Sequence, residues 1–362
     1  MAESKGEIAS LHAVVSSLPR EEKEAFERIF DVSVSEGSLR PPESMRPWLA
    51  ERFGSVESAM QQQIVRVANL VTMEEALFNP LRASRPLGRG LGSASVHSGE
   101  DPLRDPLTTT PEDVFGRVEG KHCITAGNVA KYEAFHGVVV FNEPDPLRFT
   151  REQVIDYIDT GCRWAQEAHG VDPEASYFFF MWNCGERAGA SLRHGHAQVM
   201  LGRRRHYSKI EHLRRAAWSY RDRYGRDYYE DLFHVHRSVG CGFEEDGIRI
   251  MAYLSPVKEK ETILMAPRLD LSLKERIYEV LACFRDRMGV TTFNLALYLP
   301  PIAEVAEDWE GFPAMARLVE RGDSRSLASD IGTMELYASS VVSSDPFEVA
   351  RVLKGCLSEP AD

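Results

Sequence analysis

The stretch from Arg193 to Leu201 leaves little freedom to a chain that contains it, because histidine and glutamine alternate there with small or apolar residues at a period of two. On a strand, that period puts His194, His196 and Gln198 on one face and Gly195, Ala197, Val199 and Leu201 on the other. One face is therefore predicted to be chemical and the other to be core. Just upstream, residues 177–182 form an unbroken aromatic and apolar run, which predicts a second strand, with a glycine-bearing loop between the two.

The same order of elements is visible twice. A strand-like run at 136–141 leads into an amphipathic helix that starts at a Thr150 cap and runs towards Ala168, and then into the two strands just named. Further on, strands at 248–254 and 262–266, a helix over 272–288 and a strand at 292–299 repeat the pattern. This repetition predicts an α+β fold of duplicated antiparallel sheet-plus-helix units. Ahead of them, Ile8, Leu11, Val14, Val15 and later Met60, Ile64, Val67, Leu70 recur at helical spacing and predict a helical N-terminal extension. Residues 79–120 are rich in Pro, Gly, Ser and Arg and read as an irregular arm. The expected division is a helical extension at 1–78, a first half with the active strand at 79–240, and a second, degenerate half at 241–362.

A neutral imidazole, with an ordinary pKa of about 6.5, is a competent nucleophile towards phosphorus at neutral pH and leaves readily afterwards. His196 is thus a candidate to hold a transferred group. Gly185 and Gly189 allow the backbone to approach phosphate oxygens, and Asn183, Ser191 and Gln198 can donate hydrogen bonds to them. A formal net charge of -12 argues against nucleic acid or an anionic membrane as partner, so the anion would be small and met by a local pocket. The polar first ten residues and the short apolar runs predict neither export nor membrane insertion, and hence a cytoplasmic protein. Six cysteines with no Cys-x-x-Cys pair read as scattered reduced thiols.

With Asn183, Gly185, Gly189, Ser191, His194, His196 and Gln198 in this spacing, the chain resembles the galactose-1-phosphate uridylyltransferases of the histidine-triad (HIT) superfamily, relatives of dinucleoside polyphosphate and nucleotide-sugar phosphorylases. The resemblance implies a HIT-like fold, His196 as nucleophile with His194 and Gln198 completing the catalytic strand, and Asn183, Gly185, Gly189 and Ser191 around the phosphates. Glutamine at 198, where the superfamily's hydrolases carry a third histidine, implies a transferase or phosphorylase. The segment Arg82-Ala83-Ser84-Arg85-Pro86 is similar to a family segment whose arginines reach nucleotide phosphates across a dimer interface, implying a homodimer with Arg82 and Arg85 as phosphate ligands. The family's structural zinc would fall on His122 or Cys123 with His136 and His194, although the cysteine pair is lost, so no cofactor is required and at most one structural zinc is expected. Glu335 stands near the family's sugar-recognising glutamate, one register off. His234 and His236 form another His-x-His, expected to be structural or at a pocket edge.

The function expected from these residues is nucleotidyl transfer between a nucleotide or nucleotide-sugar donor and a phosphorylated acceptor, through a covalent nucleotidyl-histidine. The alternatives are a phosphorylase using inorganic phosphate and a non-catalytic nucleotide-binding protein.

Overall fold

The computed structural model describes residues 6–84, 101–324 and 329–358. Two sheets carry the fold. The smaller is built from β1 (Phe30–Ser38), β2 (Gln61–Asn69) and β3 (Glu75–Phe78), closed by β13 (Ser340–Val342) near the other end of the chain. The larger has nine strands: β4 (Cys123–Gly127), β5 (Phe135–Phe141), β6 (Ala175–Cys184), β7 (His196–Arg203), β8 (Gly242–Glu245), β9 (Ile248–Ala252), β10 (Thr262–Ala266), β11 (Phe293–Tyr298) and β12 (Ala314–Glu320). Its order is β4-β5-β7-β6-β11-β12-β10-β9-β8, with every pair antiparallel.

That order is a duplication seen edge to edge. The first half runs β4-β5-β7-β6, and the second runs β9-β10-β12-β11 in the same internal order. The two meet where β6 pairs with β11, Asn183 opposite Asn294. The repeated units expected from the sequence therefore fuse into one continuous sheet.

Eleven helices fill in the rest of the described residues: α1 (Leu11–Ser17), α2 (Arg20–Ile29), α3 (Arg46–Phe53), α4 (Val56–Met60), α5 (Pro106–Thr109), α6 (Arg151–Val171), α7 (Ser208–Tyr224), α8 (Tyr228–Val239), α9 (Leu271–Asp286), α10 (Thr333–Tyr337) and α11 (Pro346–Ser358). Helix α6 starts as expected: Thr150 accepts from the Gln153 N–H, and the Gln153 side chain accepts in return from the Thr150 N–H. It buries Val154, Tyr157, Ile158, Gly161, Trp164, Ala165 and Ala168, a stripe at three- and four-residue spacing. With α9 and α11 it covers one face of the large sheet, onto which Ala197, Val199 and Leu201 point. The opposite face is covered over the second half by α1, α2, α7, α8 and the small sheet. Over the first half it carries His196 and Gln198.

The amino-terminal region departs from the all-helical expectation. Met60 ends α4, and Ile64 and Val67 lie in strand β2, where burial alternates: Val65, Val67 and Asn69 are inside. The 60, 64, 67, 70 spacing matches a helix by coincidence with a strand of β-branched residues. A second departure concerns sulfur. Cys283 of α9 and Cys356 of α11 form a disulfide with Cα atoms 6.1 Å apart, while Cys123, Cys162, Cys184 and Cys241 are free as expected. No helix among the described residues is long and apolar enough to cross a membrane.

Two buried histidines tie the fold to pH. The His236 ring is held by the Leu232 carbonyl and the Leu254 N–H, and the His206 ring by the Leu299 carbonyl and the Tyr207 N–H. Burial pushes each pKa down to about 4. Between that value and about 6.5 the unfolded chain binds protons that the folded chain refuses, so stability falls as pH drops through this window. Each contributes a loss on the order of 3 kcal/mol across it. Urea unfolding at pH 7 and pH 4.5 is expected to show a steep loss, reduced in His236→Gln; equal midpoints at the two pH values would contradict this origin.

Candidate active site

Strand β7 begins at His196, three residues later than the alternation suggests, so His194 lies ahead of it. Gly195 sits where an added Cβ would meet the Glu143 carbonyl and the Phe141 ring at 2.8 Å each, and its N–H bonds the Pro144 carbonyl at 2.8 Å. The backbone there is pressed against the 141–146 loop, and β7 pairs regularly from His196 onward. Preceding it, Gly185 has φ +88° and an added Cβ there would meet Thr292 Cγ2 at 2.8 Å, a position only glycine takes without strain.

His196 is 5% exposed, and its Nδ1 lies 2.7 Å from the His194 carbonyl oxygen. A carbonyl only accepts, so the hydrogen resides on Nδ1 and Nε2 keeps its lone pair. Nε2 has no partner among the described residues. Burial, the largest influence, lowers the pKa of the ring and favours the neutral form.

His194 is held from both sides. Its Nε2 donates to the Phe141 carbonyl at 2.8 Å, and its Nδ1 meets Asp101 Oδ2 at 2.7 Å. Asp101 is in turn shaped by a turn of its own, Oδ1 accepting from the Leu103 N–H at 3.0 Å. Sequence reasoning passed over Asp101, which lies 93 positions before its partner and in no motif. The His194 ring therefore sets the position of the carbonyl that fixes the tautomer of His196. Asp101→Ala is expected to lower kcat by up to roughly a hundredfold through misplacement of that carbonyl, with the donor KM little changed. Steady-state kinetics decide it, and an unaltered kcat would show that Asp101 holds nothing that matters.

Beside His196, register puts Met181 of β6 opposite Gln198, so Asn183, two residues on, is level with His196 on the same face. Asn294 donates from Nδ2 to the Ala188 carbonyl at 2.8 Å and to Asn183 Oδ1 at 2.7 Å, while its own Oδ1 accepts from Arg321. The Asn183 oxygen is thereby tied, leaving its N–H2 group to face outward. Gln198 is arranged likewise, with Oε1 2.9 Å from His136 Nε2. Asn294 and Arg321 are further residues the sequence did not flag, brought in by the pairing of the two halves.

The other sequence candidates are dispersed. Ser191 and Gly189 lie exposed on the loop, Gly189 with φ +95°. Arg82 is exposed at the rim of the small sheet, its N–H on the Asn79 carbonyl, and Arg85 lies outside the described residues. Glu335 caps its own helix by accepting from the Gly332 N–H at 2.8 Å, so its carboxylate is engaged locally. His234 is exposed on α8, and His236 is buried against the Tyr253 ring.

The zinc set drawn from the resemblance does not assemble. Cys123 points to the α6 face beside Asp156, with burial pushing its thiol up to about 12. His122 faces Glu152 at 3.6 Å on that same side. His136 points to the opposite face and bonds Gln198, and both nitrogens of His194 are occupied. Strand alternation puts Cys123 of β4 and His136 of β5 on opposite faces, His122 and His194 stand outside the strands, and no group of three or more His, Cys, Asp or Glu converges among the described residues. These residues do not fit the metal.

No protein-family model matches the chain, and no curated protein matches it. Solved structures do. An ADP-glucose phosphorylase from Arabidopsis thaliana with bound ADP-glucose aligns over 79% of this chain and 97% of its own at 14% identity, TM-score 0.60. A uridylyltransferase aligns over 83% and 100% at 14% identity, TM-score 0.57. A GalT-like protein from Arabidopsis thaliana aligns over 71% and 97% at 14% identity, TM-score 0.55. The chain has the HIT-like α+β fold of these proteins.

Proposed function

We propose that the protein is a nucleotidyltransferase that passes a nucleoside monophosphate through His196. The observation that carries the reading is the tautomer of His196, with its hydrogen committed to the His194 carbonyl and an unpartnered Nε2 on the face that also holds Asn183 and Gln198. In the first step the Nε2 lone pair attacks the α-phosphorus of a nucleotide or nucleotide sugar. The bond from phosphorus to the bridging oxygen breaks, and the leaving phosphate takes the electron pair. The ring becomes cationic while bonded to phosphorus, and the His194 carbonyl accepting from Nδ1–H stabilises that charge. In the second step an acceptor phosphate oxygen attacks phosphorus, the P–N bond breaks and the imidazole is restored. The amide hydrogens of Asn183 and Gln198 meet the phosphoryl oxygens in both steps.

The acceptor divides two versions of this reading. A phosphorylated sugar would make a transferase; inorganic phosphate would make a phosphorylase. Glu335, the residue offered for sugar recognition, is spent on its own helix cap, which favours the smaller acceptor. A homodimer in which Arg82 or Arg85 reaches the neighbouring site, and a cytoplasmic location, complete the proposal. The test is a panel of nucleotide sugars, dinucleoside polyphosphates and nucleoside triphosphates, each with phosphate or a sugar phosphate. Acceptor-dependent exchange with acid-labile, alkali-stable label on the protein is the expected result. Release of free monophosphate without any acceptor would establish a hydrolase, and no turnover on any donor would leave a nucleotide binder.

A further inference from the structure

We propose that His136 is a positioning residue that aims the amide of Gln198 at the phosphoryl group in transit, a role that rests on the transfer chemistry above. The His136 residue is fully buried on β5. Its Nδ1 faces the Tyr132 N–H at 3.0 Å, a donor, so this nitrogen accepts and the ring hydrogen belongs to Nε2. From Nε2 the acceptor in reach is Gln198 Oε1, at 2.9 Å. Asn128 is also close, but its own oxygen is tied to the Ala130 N–H, and it turns a nitrogen towards Nε2 at 3.2 Å. The Tyr132 ring lies against the His136 ring at a tilt of 34°, centroids 4.7 Å apart, and Lys131 Nζ donates to the His136 carbonyl at 2.9 Å.

The consequence falls on an ambiguity built into glutamine. Its carboxamide oxygen and nitrogen fill nearly the same space, so packing alone does not choose which one faces the substrate. With the oxygen outward, an acceptor would oppose phosphoryl oxygens, and the strand would repel its substrate. The N–H of His136 removes that choice by holding the oxygen and leaving both amide hydrogens outward. This is a hydrogen-bonding task for a histidine that the sequence offered as a zinc ligand, and with Nδ1 accepting from Tyr132 it leaves neither ring nitrogen for a metal.

The experiment measures single-turnover label transfer to His196 in wild type, His136→Phe, Gln198→Ala and the double variant, with His136→Gln as the conservative replacement that retains an N–H donor. His136→Phe is expected to slow transfer by on the order of tenfold or more, bounded by the roughly hundredfold loss expected from removing the Gln198 donor itself. His136→Gln is expected to recover part of the rate. In the Gln198→Ala background, His136→Phe is expected to cost nothing further, because the amide it orients is gone. Effects that multiply in the double variant would overturn the proposal. Nitrogen NMR of the wild-type protein provides a readout independent of turnover: hydrogen on Nε2 and none on Nδ1 is expected at neutral pH, with the Nε2 signal shifting in Gln198→Ala, and the reverse tautomer would overturn the proposal even if His136→Phe fails to fold. Absence of label on wild type would sink the transfer reading alone, since the NMR result decides the His136–Gln198 contact separately.

Discussion

Replacing His196 with alanine is expected to abolish covalent labelling and to cut turnover by on the order of 10⁴-fold or more, the scale seen when an attacking group is removed from a covalent mechanism. The two losses belong together because the same atom, Nε2, makes the bond that is measured and the bond through which turnover passes. The fold should survive. His196 lies on the face of β7 turned away from the α6, α9 and α11 core, and the bond it gives up is one donation to a neighbouring carbonyl. Thermal unfolding near the wild-type temperature, with label and activity both gone, is the expected combination. Retained turnover without label would mean direct attack of the acceptor on the donor and end the covalent reading.

The largest expected effect on stability lies in the second half of the sheet. Arg317 of β12 is buried against Glu261 at 2.6 Å and Glu74 at 2.9 Å, beneath the rings of Tyr253 and Tyr298. Two carboxylates share one guanidinium there, and burial pushes the Glu261 carboxyl up. Arg317→Met removes the cation that both acids share, leaving Glu261 buried without its partner beside a half-buried Glu74, a loss of about 3–5 kcal/mol, against a total of roughly 5–15 kcal/mol for folded proteins. Urea unfolding is expected to show a protein close to its limit. The cost comes from orphaned charge more than from lost attraction, so Arg317→Met combined with Glu261→Gln and Glu74→Gln should regain much of it. A single variant as stable as wild type would mean that water reaches this cluster.

These residues also show where a sequence can be read and where it cannot. The Thr150 capping box, the buried run of β6 and the alternation from His196 to Leu201 are local signals, complete within a few residues, and the structure contains each of them. The helical reading of Met60 to Leu70 went astray because four apolar positions fit a helical period while the alternation of Val65, Val67 and Asn69 fits a strand, and only tertiary burial arbitrates. Asp101 beside His194, Asn294 beside Asn183 and Cys283 bonded to Cys356 are contacts between distant positions, which no local period encodes. The zinc set failed for a related reason: residue types were carried over from a resemblance without the facing of each side chain, which strand alternation settles.

The small sheet places a constraint on the order in which this protein is made. Strand β3 ends at Phe78, and its parallel neighbour β13 begins at Ser340. Close by, the Ile8 N–H donates to Asp345 Oδ2 at 2.8 Å. As the chain leaves the ribosome, β1 to β3 therefore emerge with one edge that has no mate until synthesis has passed Ser340–Val342. Contacts of such long sequence separation slow folding, since the intervening loop must close before they form. Strands β1 to β3 thus wait on β13, and a translation product cut short before Ser340 would leave the β3 edge free to pair with another chain.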